Sequence, residues 1–155
     1  MTGRKAEAET LRCGLLAGCA TVAEAVAWAD AVLAAADAPD IAIIEVSLAG
    51  RRAPAEVAGL LDAVPGQADG IEVRRRLMSR MLRLLDEEPS RGDEIARWLY
   101  GLASSGELPD EVFGWEPYGL DDTFDLVRNR VYGAHADAVA QLRAYLERHS
   151  AARAP

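Results

Sequence analysis

Residues 71–88, IEVRRRLMSRMLRLLDEE, contain the strongest periodic pattern in the chain. Large apolar side chains recur there at helical spacing and form one wide apolar face, consisting of Leu77, Met78, Met81, Leu82, Leu84 and Leu85. Five arginines occupy the remaining positions, and Pro89 ends the segment. This pattern predicts an amphipathic helix that packs against other helices.

Similar but shorter helices are predicted on both sides of this segment from apolar spacing and from the residues that begin and end helices. Before it we expect helices over residues 5–18, 21–36 and 54–64. Thr21-Val-Ala-Glu24 is a capping box that begins the second of these, and Pro54 suits the first turn of the third. After it we expect helices from Ser90 or Asp93 to about 104, from Asp121 or Asp122 to about 131, and over 135–149.

Residues 40–49, DIAIIEVSLA, are rich in β-prone side chains, but the chain offers no convincing partner strand. A lone strand would leave its backbone hydrogen-bonding groups unsatisfied. Asp40 is a suitable helix cap, and Ile41, Ile44 and Leu48 fall on one side of a helix. We therefore predict a short buried helix here.

These segments predict an all-α protein, a single compact bundle of about seven or eight short helices. A length of 155 residues fits one domain, so we expect residues 1–155 to form a single helical domain with frayed ends at 1–4 and 151–155. No apolar run reaches the length of about 18 residues that a membrane span requires.

The formal net charge of −8 and the sequence pI near 4.8 narrow the class of partner. Phosphate backbones and anionic lipid surfaces repel a strongly acidic chain, so we expect neither nucleic acid nor a membrane as partner. A basic protein is the expected partner. Cys13 and Cys19 have no zinc-site spacing and are expected to be buried, reduced thiols, which suggests a cytoplasmic protein.

Residues 107–127, ELPDEVFGWEPYGLDDTFDLV, carry seven carboxylates and no Lys, Arg or His, with four aromatic residues between them. Two prolines and two glycines predict that much of this stretch is surface loop. It is either a binding surface for a basic partner or an ordinary solvated loop with anchoring rings. The candidate partner-binding residues are Asp110, Glu111, Trp115, Glu116, Tyr118, Asp121 and Asp122.

Trp115 is the aromatic residue that bears most directly on this choice, because it lies between Gly114 and Glu116-Pro117. An amphipathic ring in such a loop could anchor an interface. The other alternative, which we favour slightly, is that the ring packs back onto the core.

Asp121-Asp122-Thr-Phe-Asp125 matches the pattern DDxxD, which places three carboxylates on adjacent helical positions. Such a set can hold Mg²⁺, and the ion can then hold a diphosphate. All-α prenyl-diphosphate enzymes carry this motif, and the chain resembles them over these five residues alone. The alternative is that the acids favour a helix N-terminus through capping and the helix dipole.

Other catalytic signatures are missing from the sequence: there is no glycine-rich phosphate loop, no HExxH pattern and no nucleophile elbow. We therefore expect no enzymatic activity, no catalytic residue, no cofactor and no metal, with a Mg²⁺-dependent enzyme using Asp121, Asp122 and Asp125 as one alternative. A structural homodimer that pairs the apolar face of residues 77–85 is the other.

A diffuse resemblance to small helical bacterial proteins without assigned activity extends over about residues 20–133. The segments that carry it are Trp28-Ala-Asp30, Glu45-Val-Ser-Leu48, Leu99-Tyr-Gly-Leu-Ala103, Phe124-Asp-Leu-Val127 and Tyr132-Gly133. In type, a small acidic single domain without a cofactor also resembles immunity proteins. That resemblance implies an inhibitor that neutralises a cationic toxin or effector domain.

Overall fold

The computed structural model describes residues 2–151, and every regular element in that range is helical, which confirms the all-α prediction. The α-helices are α1 (Thr2–Ala17), α2 (Val22–Ala35), α3 (Ile41–Ser47), α4 (Pro54–Asp62), α5 (Gly70–Glu87), α6 (Gly92–Ser104), α7 (Asp110–Phe113), α8 (Glu116–Arg128) and α9 (His135–His149). A 3₁₀ turn, Pro89–Arg91, leads into α6. None of the described helices combines the length and hydropathy that crossing a membrane would require.

Contacts between Cα atoms group the chain into two units that divide within α5, between Val73 and Arg74. The single-domain organisation of residues 1–155 therefore remains a prediction. The predicted fraying of residues 1 and 152–155 falls outside the described range. Residues 2–4 form the start of α1, and the Ala151 amide donates a hydrogen bond to the Arg75 carbonyl oxygen at 3.1 Å.

In the first unit, α1 packs against α4, and α3 packs against both α2 and α4. The predicted capping box at α2 is confirmed: the Glu24 amide donates to Thr21 Oγ1 at 3.2 Å, and the Thr21 amide donates to Glu24 Oε2 at 3.4 Å. Both predicted thiols, Cys13 and Cys19, are buried. The core of this unit is aliphatic and includes Leu11, Leu15, Ala25, Ala29, Ile43, Val46, Val57 and Leu61.

The short helix predicted over residues 40–49 is confirmed, and Asp40 Oδ1 accepts from the Ala42 amide at 2.8 Å. The predicted buried face is wrong, however. The helix buries Ile43 and Val46, whereas Ile41 is 74% exposed and Leu48 is 79% exposed. Because aliphatic residues occupy nearly every side of this two-turn helix, spacing alone could not identify the side that packs.

In the second unit, the apolar face of α5 is buried within the chain: Leu77, Met78, Met81 and Leu85 are all close to fully covered. The homodimer hypothesis used this same face, and these four side chains are covered within the chain, so it would depend on the half-buried Leu82 and Leu84. Homodimerisation itself stays a prediction. Helix α6 packs against α8, and α9 packs against both. Arg143 of α9 forms an ion pair with Asp86 of α5.

Two predicted helix starts in this unit are wrong. Neither Ser90 nor Asp93 caps α6, because the 3₁₀ turn continues directly into the helix. Helix α8 begins at Glu116, not at Asp121 or Asp122, since Pro117 fits the first helical turn instead of breaking the helix. Much of the acidic stretch is therefore helical, in α7 and α8, and not the surface loop that its prolines and glycines suggested.

Candidate functional site

The candidate site is built mainly on the outward side of α8. Tyr118, Asp121, Asp122 and Asp125 follow one another at intervals of three, one and three residues, which places them on one side of the helix. The opposite side packs inward, with Pro117, Leu120 and Phe124 buried. The sequence folds this way because three apolar residues at helical spacing fix which side of α8 faces the core.

Three aromatic rings meet at the start of α8. Trp115 is 68% exposed, and its ring centroid lies 5.7 Å from that of Tyr118. Tyr118 in turn meets Tyr100 of α6 edge to face, with ring centroids 5.5 Å apart. Packing of Trp115 onto the core, the slightly favoured alternative, is therefore wrong. Tyr100 was missed because no sequence signal shows that α6 and α8 bring these rings together.

Gly114 sets the direction of the chain immediately before Trp115. Its φ of 72° and ψ of −174° lie in a region that only glycine adopts readily. A Cβ atom at this position would also collide with the carboxylate of Glu116. The turn between α7 and α8 therefore depends on glycine, and it leaves Trp115 pointing into solvent.

Along α8, the acidic residues meet arginines of the same unit. Arg128 forms ion pairs with Asp125 of α8 and with Asp93 of α6. Arg97 Nη2 lies 3.7 Å from Asp93 Oδ1 on the same helix. Because Asp93 meets Arg128 at one end and Tyr100 meets Tyr118 at the other, α6 and α8 run antiparallel. Exposed ion pairs of this kind contribute about 0–1 kcal/mol each, so they orient side chains more than they stabilise the fold.

Asp121 lies between these charges and is only half-exposed. Burial is the main cause that raises the pKa of its carboxyl, Arg97 opposes the rise, and the neighbouring Asp122 and Asp93 add to it. The raised pKa means that the folded chain disfavours the charged form of Asp121. Arg97 and Arg128 lie close enough to offset part of the charge of this carboxylate, so less of it is available to an external partner.

The remaining acids differ in how far their charge is already matched. Glu107 forms an ion pair with Arg74, and Glu116 Oε1 lies 3.9 Å from Arg148 Nη2. Asp110, Glu111 and Asp122 are exposed, and no residue in the described range forms a salt bridge with them. The seven carboxylates of residues 107–127 are therefore not a uniform negative patch, and the outward charge lies mainly on these three.

The DDxxD carboxylates do converge. Asp121, Asp122 and Asp125 can each place one oxygen within 4.8 Å of the others. Carboxylate oxygens are the ligands that Mg²⁺ prefers, so the donor atoms fit such an ion. Asp125 already pairs with Arg128, so an ion bound here would compete with that guanidinium. Clusters of exposed acids are common without any metal.

A shallow groove of about 710 Å³ runs between α8 and α9. Leu120, Ala144 and Tyr145 form its apolar floor, and Glu116 and Arg148 stand at one end. The buried Tyr145 hydroxyl donates to the Phe113 carbonyl oxygen at 2.9 Å, and burial raises the pKa of this phenol far above its ordinary value. Tyr145 therefore stays protonated and has a structural role, since its hydroxyl fixes the end of α7.

The seven predicted partner-binding residues all lie in the unit that begins at Arg74. Tyr118, Asp121 and Asp122 share the outward side of α8, and Trp115 precedes the helix beside Tyr118, whereas Glu116 lines the groove with α9. Asp110 and Glu111 lie in the first turn of α7. No described hydrogen bond or ion pair joins their carboxylates to the other five predicted residues. We call Asp110, Glu111, Trp115, Glu116, Tyr118, Asp121 and Asp122 the acidic–aromatic surface.

Comparisons with protein-family models, with curated proteins and with solved structures gave no match.

Proposed function

We propose that the protein binds a basic protein partner through the acidic–aromatic surface. The observation that carries the proposal is the solvent-exposed ring of Trp115, which lies beside Tyr118, the ring that in turn meets Tyr100. Tryptophan and tyrosine are enriched among the residues that dominate binding energy at interfaces. In its most specific form, the proposal is an immunity protein that neutralises a cationic toxin or effector domain.

Charge supports a cationic partner, although with fewer groups than the sequence suggests. Asp110, Glu111 and Asp122 are exposed and available to Lys or Arg side chains of a partner. Complementary charge at the rim of an interface mainly raises the association rate and selects the partner. Glu116 and Asp121 are already opposed by Arg148 and Arg97, so their contribution is smaller.

The aromatic rings would contribute binding energy through the apolar area that they bury. An indole that leaves water on binding buries a large apolar area and slows dissociation. Tyr118 contacts Trp115 on one side and Tyr100 on the other, so a partner that covers Trp115 meets a continuous aromatic patch. The proposal assigns the chain neither a catalytic residue nor a cofactor.

Affinity capture from the source cells tests this proposal, with wild type and Trp115→Ala used as baits side by side. We expect a basic protein to co-elute with wild type and to be depleted from the variant. Measured with that protein in recombinant form, Trp115→Ala should raise the Kd by about tenfold or more, because it removes the most exposed of the three rings. Lysine at positions 110, 111 and 122 should lower the association rate and its dependence on salt.

Tyr132→Ala is the matched control, because Tyr132 is a 78% exposed aromatic residue of the same unit outside the acidic–aromatic surface. It should leave the Kd within about twofold of wild type. An unchanged Kd in Trp115→Ala, or an equal loss in Tyr132→Ala, would disprove the assignment of this surface.

A second candidate function is a Mg²⁺-dependent enzyme for a phosphorylated or diphosphate substrate, favoured by the convergence of the DDxxD oxygens. Asp121, Asp122 and Asp125 would hold the ion, which would neutralise charge on the phosphate groups. Titration calorimetry with MgCl₂ or MnCl₂ tests it directly. This candidate predicts a heat of binding that Asp122→Ala abolishes and Asp110→Ala retains. A flat titration, or one that Asp122→Ala leaves unchanged, rejects it.

A further inference from the structure

The outward side of α3 is the most exposed aliphatic surface of the first unit. Ile41 and Leu48 are 74% and 79% exposed, and Ile44 lies between them, half-buried. These three residues, which we call the α3 aliphatic face, are spaced three and four residues apart and lie on one side of two helical turns. Contiguous exposed aliphatic side chains on a polar protein commonly mark an interaction site.

The exposure is not a requirement of the fold. Helix α3 is anchored by Ile43 and Val46 on its other side and by the Asp40 cap at its start. The same helix could form and pack with polar side chains at positions 41 and 48, since neither Ile41 nor Leu48 fills the core. The chain thus carries large aliphatic residues where its own packing does not use them.

Charge indicates what this face binds. The chain up to Val73 holds 11 acidic and 5 basic residues, so it accounts for −6 of the formal net charge of −8. Asp37, Asp40 and Glu45 flank the α3 aliphatic face, and Asp30 of α2 binds the Ser47 hydroxyl beside it. Arg51 and Arg52 follow the helix and offset part of this charge.

A second copy of the chain is a poor occupant, because pairing two such faces would bring acidic surfaces together. A helix with one apolar side and basic flanks would match both the aliphatic side chains and the acidic residues around them. The distance from Ile41 to Leu48 along the helix is about 10 Å, which matches two turns of a partner helix. Its aliphatic side would cover the α3 aliphatic face, and its Arg or Lys side chains would meet Glu45 and the aspartates.

We propose that the α3 aliphatic face is a docking surface for a basic amphipathic helix of another protein, separate from the acidic–aromatic surface. Recognition would combine burial of Ile41 and Leu48 with charge pairing at the flanks. This inference does not depend on the proposed function, because the two surfaces share no residue.

Fluorescence anisotropy with the full chain tests the inference, using a labelled synthetic peptide that places leucine at helical spacing and arginine elsewhere. A second peptide with glutamate in place of arginine is the charge control. We expect binding of the arginine peptide alone. Ile41→Ser/Leu48→Ser should weaken it by about tenfold or more, because both apolar contacts are lost.

Leu16→Ser is the matched control, since Leu16 is a 60% exposed leucine on α1, and it should change the Kd by less than about twofold. Circular dichroism melts of all variants verify that they fold. Absence of arginine-peptide binding, or an equal loss in Leu16→Ser, overturns the proposal. If Trp115→Ala abolishes binding and Ile41→Ser/Leu48→Ser does not, the peptide occupies the acidic–aromatic surface, and this inference fails while the proposed function stands. A dimer in sedimentation equilibrium that Ile41→Ser/Leu48→Ser dissociates overturns it in favour of a second copy.

Discussion

Phe124→Ala is expected to lower the free energy of unfolding by about 3–5 kcal/mol, since it leaves a cavity where a fully buried ring stood. Phe124 is 1% exposed and lies on the inward side of α8, where its ring meets that of His135 at the start of α9. Because the same helix carries Tyr118 and Asp122 outward, this ring anchors the candidate site to its unit.

Urea unfolding followed by tryptophan fluorescence measures this loss. A Trp28→Phe background leaves the two remaining tryptophans in the unit from Arg74 onward, so the signal reports on that unit. Leu126→Ala is the control on the same helix, at an exposed position, and should cost less than about 1 kcal/mol. A similar loss in both variants would show that Phe124 is not the anchor.

Gly92→Ala is expected to destabilise the protein by about 1–3 kcal/mol, the usual cost of overpacking a core. A Cβ atom on Gly92 would lie 2.9 Å from Phe124 Cζ and 3.2 Å from Val139 Cγ2. Glycine at the start of α6 therefore permits the close approach of α8 and α9. The same urea experiment gives the magnitude.

Gly101→Ala on the same helix is the opposite case, because its Cβ would meet no atom within 4 Å. Helix propensity alone then predicts a stabilisation of about 1 kcal/mol. In a Phe124→Leu background, the cost of Gly92→Ala should shrink, since the two positions are in contact and their effects are coupled. Additive effects would contradict the steric explanation.

Local signals in the sequence predicted much of the secondary structure. The Thr21 capping box, the Asp40 cap and the proline at the start of α4 each appear where expected, because such signals depend on residues within one helical turn. The burial of Leu77 and Met81 followed from periodicity. Pro117 misled for a physical reason: proline ends helices in their interior but suits their first turn.

The features that the sequence did not predict depend on contacts between residues far apart in the chain. Nothing in the sequence shows that Arg128 meets Asp93, or that Tyr100 meets Tyr118, because these contacts exist only after α6 and α8 pack antiparallel. The acidic stretch therefore looked uniformly negative, although arginines elsewhere in the same unit oppose part of its charge. The exposure of Ile41 was hidden for a related reason, since only the neighbours of α3 decide which side it buries.

The turn at Gly114 affects the conformational entropy that would be lost when a partner binds. The left-handed backbone of Gly114 directs the chain so that the Trp115 ring, which follows it, is largely exposed to solvent. A ring presented in this way loses little conformational entropy on binding, because the main chain that carries it is already ordered. We therefore expect a partner that covers this indole to bind more tightly than it would bind the same ring on a flexible loop.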